Sequence, residues 1–166
     1  MVLDFVNEKH MSNLIPMTQD EFIAFTEAAV PSFAAEKVAS GQWKEAEALE
    51  LARKSFAELL PQGLATPDNY FFTVLDQAAQ INVGIVWFAA QERAGKRIAY
   101  VYEINIKPEH QRLGHAKRAF LALEDNVRSL GLSGIALHVF GHNAAAQALY
   151  LQLGYQPTNI NLFKAI

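Results

Sequence analysis

The chain has 166 residues, 51% of them apolar and 19% charged, with a net charge of -3 and no cysteine. That length fits a single domain with a full core and is not the composition of a disordered chain, while a weakly acidic balance supplies no global field toward nucleic acid or an anionic membrane. The lack of cysteine excludes disulfides, a thiol nucleophile and thiolate metal sites.

Thr18-Gln-Asp-Glu21 forms a capping box, with Met17 and Phe22 placed as its hydrophobic staple. Phe22, Phe25 and Ala29 follow at helical spacing, and Pro31 is expected to stop this helix. A short helix over residues 32–40 should end at Gly41. A longer one is expected over residues 44–60, with Leu49, Ala52, Phe56 and Leu59 on its buried face and Pro61 and Gly63 ending it.

From Tyr70 the texture changes to aromatic and branched runs. Residues 70–76 and 81–89 read as a hairpin joined by the polar link 77–80, and residues 91–97 as a turn into a third strand, 98–106. Short links make these three strands antiparallel. A long helix follows, with Leu113, Ala116, Phe120, Leu123, Val127 and Leu130 on one face and Gly131 at its end. Residues 135–140 form a strand reached by a helical crossover, hence parallel to 98–106. Asn143 is the N-cap of a helix to Leu153, Gly154 supplies its left-handed C-terminal position, and a last strand is expected near residues 160–165. This is an α+β order with no internal linker, and one domain is expected.

Two stretches carry chemistry. In Glu103-Ile-Asn-Ile-Lys-Pro-Glu-His-Gln111-Arg-Leu-Gly114-His-Ala116 a strand runs through a small-residue loop into the long helix. Such a junction aims unpaired backbone N–H groups and the positive end of a helix dipole at one point, which suits a phosphate or pyrophosphate. Lys107, Arg112, Lys117 and Arg118 add local positive charge, or form an ordinary solvated helix face. The second stretch is Asn143-Ala-Ala-Ala-Gln-Ala-Leu149-Tyr150-Leu-Gln-Leu153-Gly154-Tyr155.

The spacing Gln111-x-x-Gly114-x-Ala116 resembles the acetyl-CoA pyrophosphate loop Q/R-x-x-G-x-G/A of the GNAT N-acetyltransferases, with Ala116 in place of the final glycine. The second stretch is similar to that family's N-x-x-A-x-x-L-Y-x-x-x-G-F/Y element, in the same order. The resemblance covers residues 70–166 and, more loosely, the helical segment 18–63.

It implies a GNAT-like mixed, mostly antiparallel sheet whose central parallel pair, 98–106 and 134–140, splays to admit acetyl-CoA. On the same basis Ile104, Asn105 and Ile106 would offer main-chain groups to the pantetheine arm. Gln111, Arg112, Leu113, Gly114, His115, Ala116 and Lys117 would form the pyrophosphate loop, and Asn143 would bond the arm beside its capping role. Tyr150 would protonate the departing thiolate, unless its ring packs beneath the sheet. Glu103 would serve as base, unless it is an edge carboxylate. Regular alternation puts Glu103 with Val101 and Asn105, opposite Tyr100, Tyr102 and Ile104, and a bulge would change that.

The implied function is direct transfer of an acetyl group from acetyl-CoA to a primary amine, small or peptidic, in a ternary complex. A non-catalytic acyl-CoA-binding module of the same fold is the alternative. The acceptor would be set by residues 22–60 and 91–97. His138 and His142 do not share a helical face, and no metal is expected. No nucleic-acid or membrane partner is expected, and family habit admits a homodimer. Asp4 and Glu8 break any leading apolar run and no membrane-length apolar stretch follows, so a cytoplasmic protein is expected.

Overall fold

The computed structural model describes residues 14–166, so the reading of Asp4 and Glu8 lies outside the described residues. In chain order the elements are β1 (Leu14–Pro16), α1 (Gln19–Ala39), α2 (Glu45–Leu59), β2 (Asn69–Asp76), β3 (Ile81–Arg93), β4 (Lys96–Ile106), α3 (His115–Ser129), β5 (Ile135–Leu137) and α4 (Ala144–Gln152). The five strands form one sheet in the order β1-β2-β3-β4-β5. β1 to β4 pair antiparallel, and β5 lies parallel to β4. The residues gather into two compact units, one reaching to Ala136 and one spanning Leu137–Ile166. No helix among the described residues is long and apolar enough to cross a membrane.

The capping box forms as its residues dictate. The Thr18 backbone N–H donates to Glu21 Oε2 at 2.8 Å, and the Glu21 N–H donates to Thr18 Oγ1 at 3.3 Å. Glu21 also accepts from Thr73 Oγ1 on β2 at 3.1 Å, which ties the start of α1 to the sheet. Met17 and Phe22 both join the core cluster, as a staple requires.

Pro31 does not stop α1. The helix continues to Ala39 with the proline inside it. A proline removes the hydrogen bond to the carbonyl four residues back. Here that residue, Glu27, and Pro31 are both exposed, so the released carbonyl meets water. Ala29 and Ala34 are buried on either side, and the Phe33 ring packs edge-on against Trp43 and Phe56, so tertiary contacts carry the helix through. In α2 Ala52 is buried and Phe56 packs against the core as expected, but Ala48 is buried where Leu49 was expected, and Leu49 and Leu59 are exposed. Small residues let α1 and α2 approach closely, and Ala34, Ala48 and Ala52 form a core cluster of their own.

The β2–β3 link is held by Asp76, whose Oδ1 accepts from the Ala78 and Ala79 N–H groups at 2.9 and 3.2 Å. The β3–β4 turn is tighter than residues 91–97. The strands run to Arg93 and restart at Lys96, leaving Ala94 and Gly95 at φ 50° and 74°, the positive pair that a two-residue hairpin turn needs. One sheet face carries Phe71 and Trp87 against Phe22, Phe25 and Ala29 of α1 and Phe56 of α2. Val86, Phe88 and Val101 alternate to the other face and are buried. α3 packs against β1, β2 and β4 and is the long helix left to cover that second face.

Residues 135–140 yield a strand only as far as Leu137, and residues 155–166 contain no strand, so the one expected at 160–165 is absent. Ile160, Leu162, Phe163 and Ile166 are exposed there among the described residues, so burial gives no reward for an extended pairing.

Candidate functional site

The junction between β4 and α3 is built largely from backbone. β4 ends at Ile106, and the Lys107 N–H donates to Val83 O at 2.9 Å, anchoring the exit of the strand to β3. A single 3₁₀ turn, Pro108–His110, reverses the chain. The Gln111 side-chain amide then donates back to Ile106 O at 2.9 Å and closes the loop on the strand. Arg112 lies at φ 61° and Gly114, the N-cap of α3, at φ 82°. No side chain caps α3 and no acidic residue occupies its first turn, so its first-turn N–H groups and dipole are unopposed. A Cβ on Gly114 would stand 3.0 Å from Arg118 Nη1, and the glycine keeps that space open.

These features fit an anionic group held by main-chain donors, the role the loop was expected to play. Among the four cations near the loop, Lys107 is engaged by Asn82 O at 2.6 Å and Arg118 by Leu113 O at 3.2 Å. Arg112 and Lys117 are exposed, and Ala116 is half-buried. Leu113 was expected in the apolar face of α3 but is 60% exposed, whereas the His115 side chain is only 4% exposed. His115 shares a helical face with Ala119, Ala122 and Leu123, and that periodicity was the signal available in the sequence.

Glu103 owes its position to a bulge. Across β3 and β4, Trp87 pairs with Glu103 but Phe88 pairs with Val101, leaving Tyr102 as an extra residue. Regular alternation therefore fails. Tyr102 stacks on Trp87 at 4.5 Å between ring centroids, and its hydroxyl accepts from the Gln91 amide at 2.8 Å. Glu103 and Asn105, opposite Trp87 and Ile85, share that face, while Ile104 and Ile106 turn to the other with Val101.

Two consecutive side chains, Tyr102 and Glu103, thus face the α1–α2 layer. Burial pushes the Glu103 carboxyl above its ordinary value, the charge of Glu36 on α1 adds to the rise, and a hydrogen bond from Asn105 partly opposes it. A carboxylate raised in this way is a stronger base than an ordinary solvated one. Tyr102 and Glu36 were not singled out in the sequence. Neither belongs to a motif, and only the bulge and the α1 packing bring them to Glu103.

In the second unit, Asn143 Oδ1 accepts from the Ala146 N–H at 3.1 Å, so the N-cap role holds. The Gln147 amide donates to Phe140 O and Gly141 O at 3.0 Å each, fixing the entry to α4. At the other end Gly154 takes φ 89°, the Tyr155 N–H donates to Tyr150 O at 2.9 Å, and the Gly154 N–H donates to Leu151 O at 3.1 Å. This is a Schellman closure, with the Tyr150 and Tyr155 rings 5.8 Å apart across it. Tyr150 is half-buried, and burial raises its phenol above 10.0, so it carries its proton at neutral pH. The His138, Phe140 and His142 rings pack in sequence. Among the described residues no group of three His, Asp or Glu side chains converges on a metal-sized site.

The chain matches the acetyltransferase (GNAT) family over residues 26–155. It is 33% identical over 153 residues to YycN of Bacillus subtilis, named an uncharacterized N-acetyltransferase, covering 92% of this chain and 97% of that protein. YdgE of the same organism, named likewise, is 32% identical, with 90% and 95% covered. The crystal structure of YycN superposes with a TM-score of 0.83 over 92% of this chain and 97% of that one. A solved structure from Pyrococcus furiosus, 23% identical, shares the fold with a TM-score of 0.65 over 92% and 99% of the two chains.

Proposed function

The chain belongs to the acetyltransferase (GNAT) family, and from that premise we propose that it moves an acetyl group from acetyl-CoA to a primary amine by direct transfer in a ternary complex. The observation that carries this reading is the β4–α3 junction: a left-handed Gly114 at an uncapped helix start, reached from the strand that bears Glu103. Acetyl-CoA supplies the activated acyl group and a thiolate leaving group.

The N–H groups of Gly114, His115, Ala116 and Lys117 receive the pyrophosphate, with Gln111 holding the loop to Ile106 and with Arg112 and Leu113 completing the turn. Main-chain groups of Ile104, Asn105 and Ile106 guide the pantetheine arm. The Asn143 amide N–H₂ bonds it too, since capping occupies only the Oδ1 of that side chain.

Glu103 takes the proton that the acceptor ammonium must lose before its nitrogen can attack the acetyl carbonyl. Its raised pKa matches that task better than an ordinary solvated carboxylate would. Tyr150 gives its phenolic proton to the sulfur as the C–S bond breaks. With no cysteine in the chain there is no thiol to carry an acyl-enzyme, which favours direct attack by the amine. The acceptor is a small amine or an amino-acid derivative in preference to a protein amine, and reaches Glu103 from the α1–α2 side. The protein works in the cytoplasm.

A thermal-shift titration with acetyl-CoA, followed by a panel of primary amines assayed for thiol release, tests this. Stabilisation by acetyl-CoA together with amine-dependent thiol release supports the proposal. Stabilisation without turnover on any amine would favour a binding module instead.

A further inference from the structure

Arg118 lies across the β4–α3 junction in a manner its place in the sequence does not foretell. Its Nη2 donates to Leu113 O at 3.2 Å and to His115 Nδ1 at 2.9 Å. Its Nη1 stands 3.0 Å from where a Gly114 side chain would begin. The exposed guanidinium is therefore folded back over the loop whose N–H groups the reading above gives to the pyrophosphate. Arginine has no acceptor, so His115 Nδ1 must accept this bond with its lone pair. The ring proton then sits on Nε2, which points to Asp76 Oδ2 at 3.8 Å. Asp76 is itself fixed by the Ala78 and Ala79 N–H groups. The result is a brace from the β2–β3 turn through a buried imidazole to a guanidinium over Gly114.

We infer that Arg118 is a side-chain contact for the phosphates of the acyl-CoA, and that the unprotonated Nδ1 of His115 is what positions it. This rests on the acetyl-CoA reading above and adds two side chains to a loop otherwise composed of backbone donors. A planar guanidinium can hold Leu113 and His115 through one nitrogen and offer its other N–H groups to a phosphate oxygen, which a lysine ammonium cannot do with the same geometry.

The groups that face the His115 ring are Asp76 from β2, Arg118 from its own helix and His110 from the preceding turn. Burial, then the charge of Arg118, hold its pKa below the ordinary value, with Asp76 opposing and His110 adding slightly. At neutral pH the lone pair is therefore free for Arg118. On acidification a proton at Nδ1 makes both partners donors, and the guanidinium must leave.

The test is calorimetric affinity at pH 7.5 and pH 5.5 for wild type, Arg118→Ala, Arg118→Lys and His115→Gln, using acetyl-CoA, its 3′-dephospho form and S-acetyl-pantetheine. Arg118→Ala should weaken acetyl-CoA binding roughly tenfold or more, the scale of a charge-assisted hydrogen bond, and Arg118→Lys should restore only part. The loss should vanish with S-acetyl-pantetheine, and the 3′-dephospho form shows which phosphate is held. His115→Gln keeps an acceptor that does not titrate. Its affinity should fall less between pH 7.5 and pH 5.5 than that of wild type, whatever its starting value.

An Arg118→Ala variant that binds acetyl-CoA as tightly as wild type overturns the contact, as does a loss that persists with S-acetyl-pantetheine. Equal acid weakening in wild type and His115→Gln overturns the positioning role. Wild type that binds no acetyl-CoA at all would remove the acetyl-CoA reading and this inference together.

Discussion

Glu103 stands directly across the β3–β4 ladder from Trp87, on the sheet face covered by α1 and α2. A one-residue bulge at Tyr102 produces this pairing. Without it the same carboxylate would sit on the face of Phe88, among buried apolar side chains. A charge there would carry a desolvation cost with no polar neighbour to offset it. On the α1–α2 face it has Asn105 as a hydrogen-bond donor.

If Glu103 is the base, Glu103→Gln lowers kcat at neutral pH about 100-fold, the scale of general-base assistance. Part of the activity returns at high pH, where the amine is already neutral. In wild type the acid limb of the rate profile should lie above the ordinary carboxylate value of 4.5, and Glu36→Gln should move it down by removing a like charge. Wild-type turnover in Glu103→Gln across the pH range would make the residue structural.

The same shift bears on stability with a definite sign. A carboxyl whose folded pKa is raised is best tolerated when protonated. Its contribution is thus fully present below 4.5 and is lost as the pH rises through the folded value. Glu103→Gln is accordingly expected to raise the Tm at pH 7 but leave it nearly unchanged at pH 4. Differential scanning calorimetry at the two pH values checks it, and a Tm lowered at pH 7 would show that the carboxylate is net stabilising.

His115 gives the opposite dependence. Its folded pKa is depressed by burial first and by Arg118 second, so the unfolded chain takes up a proton sooner as the pH falls. Stability should decline from about the ordinary imidazole value of 6.5 downward and level off below the folded pKa. Urea unfolding of wild type and His115→Gln between pH 8 and pH 5 reads this directly. The variant should lack the slope over that interval.

At Gly114 the backbone φ of 82° disfavours any side chain, and a Cβ would press on Arg118. Gly114→Ala should cost about 1–2 kcal/mol from the left-handed conformation alone. Gly114→Glu should add negative charge at the helix start and abolish measurable acetyl-CoA affinity while the fold survives. Unchanged affinity in a folded Gly114→Glu variant, measured by calorimetry, would remove the loop from the cofactor site.

Tyr150→Phe keeps the ring and removes only the proton. As a general acid, Tyr150 predicts a fall in turnover of about 10- to 1000-fold with acetyl-CoA affinity and Tm little changed. If instead the variant melts at a clearly lower temperature and each folded molecule turns over normally, the hydroxyl is a structural hydrogen bond.

The features legible in the residues are those set over a few positions of chain. The capping box at Thr18 and Glu21, the cap at Asn143, and the left-handed Gly154 each follow from one side chain meeting its near backbone, or from a backbone angle only glycine adopts freely. The loop from Gln111 to Ala116 and the order of strands and helices from β2 to α4 were readable for the same reason. Tertiary structure alone decided the rest. α1 passes through Pro31 because its buried neighbours hold both sides of the proline in place, and α2 turns Ala48 inward because two helices must approach closely. The Tyr102 bulge, which moves Glu103 to the α1–α2 face, is chosen where Trp87 can stack on Tyr102 across the ladder. Asp76 reaches the His115 ring, which already touches Arg118 one helical turn on, only once α3 folds back along the sheet. These outcomes depend on contacts between segments far apart in the chain, and local periodicity holds no record of which distant side chain will fill the space.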